Sequence, residues 1–167
     1  VKAIRKGEQP NLDQPLGGGP EVNLRVPALI PEDYLPDVHA RLILYKRIAS
    51  ATDEEGLKDL QVEMIDRFGL LPDPVKHLFV AAALKLAATA MGIKKLELGE
   101  RGGRVLFKPQ PNVDPMRVIK LIQSQPKVYS LDGQDKFKVR MELPGAAERI
   151  GAAQSLLTAL GGRMAEA

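Results

Sequence analysis

The sequence predicts an α+β fold: an N-terminal strand and an antiparallel helix cluster, packed with a small antiparallel sheet from a ββαββα-like second half. Three observations predict it. Residues 36–92 hold three stretches whose apolar residues recur at helical spacing, joined by short turns. Residues 93–143 hold short segments alternating with a period of two around Gly102-Gly103 and Asp132-Gly133. The 167 residues are 44% hydrophobic and 27% charged, which is ordinary globular usage and enough chain for one good core or two small ones.

Residues 1–20 read as a linker. Val1–Lys6 has the pattern of a last helical turn ending at Gly7, and Pro10, Pro15, Gly17-Gly18-Gly19 and Pro20 then resist packing. One α+β domain is expected over residues 21–167. From Glu21 to Ile30, Val22, Leu24 and Val26 alternate with Glu21, Asn23 and Arg25, a half-buried strand that Pro27 confines to an edge or ends early. Asp37 is placed to cap a helix running to about Ser50. Thr52-Asp53-Glu54-Glu55 has the form of a capping box, with Thr52 as the cap, opening a helix that stops at Gly69. Asp73 before Pro74 opens a third, Ala/Leu-rich helix that ends at Gly92. Strands at Lys94–Leu98 and Arg104–Lys108 follow, with Gly102-Gly103 as their turn. Asp114-Pro115 starts a helix ending near Gln125-Pro126. Val128–Leu131 and Lys136–Leu143 flank Asp132-Gly133, and Ala146–Leu160 closes the chain as a helix.

Composition narrows the function classes. No Cys is present, so disulfides and thiolate metal sites are excluded, in keeping with a reducing, cytoplasmic compartment. No uninterrupted apolar run approaches the ~18 residues of a membrane span, and the start lacks the pattern of a signal peptide. Val1 stands where an initiator Met would, which leads us to expect a piece of a larger protein.

A search for catalytic chemistry finds none, and no cofactor is expected. Gly17-Gly18-Gly19 precedes Pro20 and Glu21, without the lysine and helix start that cradle a nucleotide. His39 and His77 each stand alone in their helices, without a second ligand at i+4. No serine has the context of a nucleophile elbow. The domain is therefore read as non-catalytic.

Charge is unevenly spread. Residues 31–70 hold nine acids and five bases, a net of −4, while residues from 81 onward hold fourteen bases and eight acids, a net of +6. The basic side includes Lys94, Lys95, Arg101, Arg104, Lys108, Lys136, Lys138 and Arg140. These suit either edge protection of a sheet or nucleic-acid binding. Stacking aromatics are scarce, and Phe107, Tyr129 and Phe137 fall on core positions. On the helix after Thr52, Leu57, Leu60, Met64 and Phe68 form the apolar side. Glu55, Asp59, Glu63 and Asp66 lie within about 80° of one another on the opposite side. Four like charges at this spacing oppose the helix. The stripe is either a well-hydrated back or an acidic docking surface for arginines, and composition leaves both open.

Specific segments then carry a resemblance. Pro36-Asp37-Val38, Tyr45-Lys46-Arg47-Ile48-Ala49, Glu63 through Pro74 (EMIDRFGLLPDP) and Met91-Gly92-Ile93-Lys94-Lys95-Leu96-Glu97 resemble the C-terminal domain of the bacterial transcription-repair coupling factor (Mfd) family. The likeness runs from the Val22 strand to Phe107. Beyond it only the order of elements matches, with Tyr129-Ser130-Leu131-Asp132-Gly133 the best local echo. Residues 1–20 resemble the end of the family's helicase motor and its link to this domain. The resemblance implies a parent that is an ATP-driven double-stranded DNA translocase, which displaces stalled RNA polymerase and recruits excision repair through UvrA. It further implies that this domain folds onto an N-terminal UvrB-like module, masking the UvrA site and restraining the motor. The family's acidic contact to that module falls on Glu63 and Asp66, with Asp59 and Glu55 on the same stripe. Met64, between Glu63 and Asp66, is a mild departure from the family's pattern.

Overall fold

A computed structural model describes residues 19–161, so the expectations for residues 1–18 and 162–167 lie outside the described residues. Within them the order is β1 (Glu21–Asn23), α1 (Val38–Ser50), α2 (Glu54–Phe68), α3 (Asp73–Met91), β2 (Ile93–Gly99), β3 (Gly102–Phe107), α4 (Pro115–Ser124), β4 (Tyr129–Asp132), β5 (Lys136–Arg140) and α5 (Ala146–Gly161). The α+β class and the ββαββα second half are as the sequence predicts.

The five strands form one sheet in the order β1-β2-β3-β5-β4. It is mixed, not antiparallel throughout: β1 runs parallel to β2, with Val22 opposite Leu96. Three helices separate these strands, and that long excursion returns the chain in the same direction along the same edge. Alternation in sequence reports which face a strand buries, not the direction of its neighbour. β1 is also shorter than the alternating run. At Arg25 the backbone turns to φ +55°, and Asn23 Oδ1 accepts the Arg25 N–H at 2.9 Å, so pairing ends ahead of Pro27. Leu24 is still buried in the sheet core, whereas Ile30 is buried among the helices.

Two caps differ from expectation by one residue. Asp53, not Thr52, caps α2, accepting the Gly56 N–H at 2.8 Å. Glu55 is then one position too early to close a capping box, and the stronger Asp cap prevails. α3 takes Pro72 as its cap residue and includes Asp73 in its first turn, where the carboxylate faces the positive helix end. Asp37 and Asp114 cap α1 and α4 as predicted. Gly92 ends α3 in the left-handed region (φ +74°), and a Cβ there would lie 2.9 Å from Pro111 Cα. Only glycine meets both demands. The β2–β3 turn is Glu100-Arg101, while Gly102 (φ +113°) opens β3 hard against the Val139 backbone of β5. The glycine pair thus serves close strand approach, not the turn itself.

Apolar burial divides into two clusters. One gathers β1–β3, β5, α5 and the C-terminal half of α3 (Leu84, Ala88, Met91). The other gathers α1, α2 and the N-terminal half of α3 (Val75, Phe79). α3 therefore runs through both cores. By length and composition it is apolar enough to cross a membrane, with mean hydropathy 1.2 over 18 residues, but its apolar residues pack into these cores. The helices cover one face of the sheet; Lys95, Glu97, Arg104, Lys138 and Arg140 lie on the other.

Candidate functional site

α2 places the candidate acidic residues. Its 15 residues bury Leu57, Leu60 and Met64 against α1 and α3, and that packing sets which residues turn outward. Phe68 is half-buried and meets Tyr34 edge-on at 6.0 Å, while the Tyr34 hydroxyl donates to the Gly69 carbonyl at 2.9 Å. The C-terminal end of α2 is thereby fixed to the segment before α1.

Glu55, Asp59 and Asp66 are exposed on one outward face, and among the described residues none of them has a cation within ion-pair distance. Val62 stands between them on the same face and is 59% exposed. Ile65, three residues on, adds apolar surface beside it, and Leu70 is exposed just past the helix end. The face is therefore mixed, with carboxylates running beside an apolar strip, a composition seen at docking surfaces.

Glu63 is set apart from that face. Its carboxylate is half-buried on the flank toward α1 and accepts two bonds from Arg47, each 2.8 Å, in a bidentate pair. Arg67, one turn onward, donates a third at 3.2 Å. Arg47 holds the Glu63 carboxyl down to about 2, with Arg67 assisting against partial burial. The same pair raises the Arg47 guanidinium above its ordinary value. Among the described residues, the four acids are thus three carboxylates without an ion-pair partner and one already engaged.

Sequence reasoning missed Arg47, Val62 and Leu70. Arg47 lies 16 residues from Glu63 on another helix, so no local spacing reveals it. Arg67 was visible, because Glu followed by Arg at i+4 is the favoured order. Val62 carried a signal that could have found it: it is an apolar residue beside an acidic stripe.

Elsewhere the chemistry is structural. His77 Nδ1 contacts the Pro27 carbonyl at 2.6 Å, holding the segment after β1 to α3. Among the described residues no group of three or more His, Asp or Glu side chains is placed to hold a metal ion.

A family model described as the TRCF domain matches residues 24–118. The chain is 45% identical over 150 residues to the transcription-repair-coupling factor of Escherichia coli (strain K12), covering 90% of this chain and 13% of that protein. It is 42% identical over 150 residues to the protein of that name from Haemophilus influenzae, with the same coverages, and 37% identical over 121 residues to that from Myxococcus xanthus, covering 72% of this chain and 10% of that protein. The chain thus spans about 13% of the length of the first two. A crystal structure of the C-terminal domain of a transcription-repair coupling factor superposes with a TM-score of 0.71 at 20% identity, over 89% of this chain and 93% of that one.

Proposed function

The chain belongs to the transcription-repair coupling factor family, and on that premise we propose that it is the family's C-terminal regulatory domain, docking on the UvrB-like N-terminal module of its parent. In this reading residues 21–167 are the regulatory unit and residues 1–20 its tether to the motor. The parent works in the bacterial cytoplasm, moves on double-stranded DNA with ATP and displaces stalled RNA polymerase. The domain itself is non-catalytic. Docked, it covers the UvrA-binding surface and restrains the motor; released, it exposes both, a shift of population with no new chemistry.

One observation supports the reading: the outward face of α2, where Glu55, Asp59 and Asp66 lie beside exposed Val62 and, among the described residues, have no cation within ion-pair distance. Such a face suits arginines on a partner, with Val62 as the apolar contact that excludes water between the ion pairs. Glu63 joins by exchange: an incoming guanidinium shares or replaces Arg47. Interfaces of this mixed kind open readily, as a regulatory clamp requires. The test is Glu63→Ala with Asp66→Ala in the full-length protein. It unmasks UvrA binding and raises basal ATP hydrolysis while the domain stays folded. Unchanged UvrA affinity in that variant removes the assignment.

A further inference from the structure

The uncovered face of the sheet carries a second surface, of opposite sign and far from α2 in sequence. Where the β2–β3 turn, the start of β4 and the end of β5 meet, an open cleft of about 1340 Å³ is lined by seven Arg or Lys side chains and two carboxylates. Strand register builds it. Glu97, Arg104, Lys138 and Ser130 form one cross-strand row, and Gly99, Gly102 and Arg140 form the next. The Arg140 N–H donates to the Val128 carbonyl at 2.7 Å and the Met141 N–H to the Arg101 carbonyl at 3.2 Å, drawing three cation-bearing segments together.

The charge is largely uncompensated. Glu97 is occupied by Arg25 at 3.0 Å and Arg104 at 3.3 Å, and it serves Lys95 as well. Lys138 reaches Asp132 at 3.5 Å. Arg101, Lys127 and Arg140 are exposed, and among the described residues no carboxylate lies within ion-pair distance of them. Behind them Arg149, 9% exposed, donates only to neutral carbonyls, those of Leu143, Arg25 and Pro144, so its charge adds to the field of the cleft.

We propose that this cleft is a sequence-independent binding surface for the phosphate backbone of double-stranded DNA, beyond the docking role of α2. Three features select this occupant. The cations are spread over five segments around an opening wider than a single phosphate, which fits a repeating polyanion. They are mostly arginines, suited to forked contact with phosphate oxygens. The one aromatic residue of the lining, Tyr129, stacks on buried Phe137 at 5.4 Å and so provides no platform for unpaired bases.

The test is fluorescence anisotropy of the 167-residue chain with a labelled duplex of about 20 bp, titrated in KCl from about 20 to 200 mM, with circular dichroism to confirm folding. At about three phosphate contacts, log affinity falls against log salt with a slope of about −2.7. Arg101→Glu with Arg140→Glu weakens binding at least about tenfold and lowers the slope by about 2. Lys58→Glu with Lys76→Glu, an identical change in net charge away from the cleft, leaves affinity within about twofold. No binding at the lowest salt overturns the proposal, as does equal weakening by both double variants. So does tighter binding of a polyglutamate of matched charge, which would assign the cleft to an acidic protein segment.

Discussion

Replacing Arg47 with Ala removes two of the three bonds on the Glu63 carboxylate, the 2.8 Å pair that crosses from α1 to α2. The 3.2 Å bond from Arg67 remains. With all three in place the carboxyl titrates at about 2, against 4.5 for an unperturbed glutamate. Only the ionised form accepts these charge-assisted bonds, so the guanidinium groups favour it. The folded-state value lies below the unfolded one. The pair therefore stabilises the fold fully above about pH 4.5, and its contribution is lost as the pH falls from there toward 2. In Arg47→Ala the midpoint rises toward 4.5, and Arg67 keeps it somewhat lower. Carboxyl-carbon NMR of Glu63, titrated from about pH 6 to pH 1.5, reads both midpoints directly. On the proposed docking role, the same substitution frees Glu63 for a partner arginine and is expected to lower UvrA binding by the full-length protein further. A wild-type midpoint near 4.5, or equal midpoints in the two proteins, refutes the reasoning.

Two stability predictions follow from backbone and buried polar contacts. Arg149→Met keeps the volume but strips donors from the carbonyls of Leu143, Arg25 and Pro144. One of these bonds is buried and two are part-buried, so denaturant unfolding is expected to show a loss of about 3–4 kcal/mol. Arg149→Lys recovers only part of this, because a point charge cannot span three acceptors. Gly92→Ala forces a left-handed non-glycine and a 2.9 Å approach to Pro111 Cα. The expected cost is about 2–3 kcal/mol, read as a fall in Tm of roughly 5–10 °C.

The helices were legible because their evidence is local. Asp37 and Asp114 caps, Gly69 and Gly92 stops, and an apolar residue every third or fourth position all lie within one element. The two hairpins were legible for the same reason, although Gly102 proved to serve strand contact and the turn fell on Glu100-Arg101. At the Thr52-Asp53 junction two capable caps stood side by side, and the stronger one, Asp53, holds the helix end.

The acidic face shows where sequence ends and tertiary structure begins. Helical periodicity alone put Glu55, Asp59, Glu63 and Asp66 opposite the apolar stripe of α2, and no packing was needed to see it. Whether each carboxylate was free required the neighbours. Packing of α1 brought Arg47 onto Glu63 and left Glu55, Asp59 and Asp66 facing solvent beside Val62. In the same way, the parallel pairing of β1 with β2 and the convergence of Arg101, Lys127 and Arg140 depend on sheet order. The physical division is one of range. A helix face or a cap is decided by dihedral preferences and contacts within a few residues, whereas ion pairs and clefts between elements exist only after the two cores have closed.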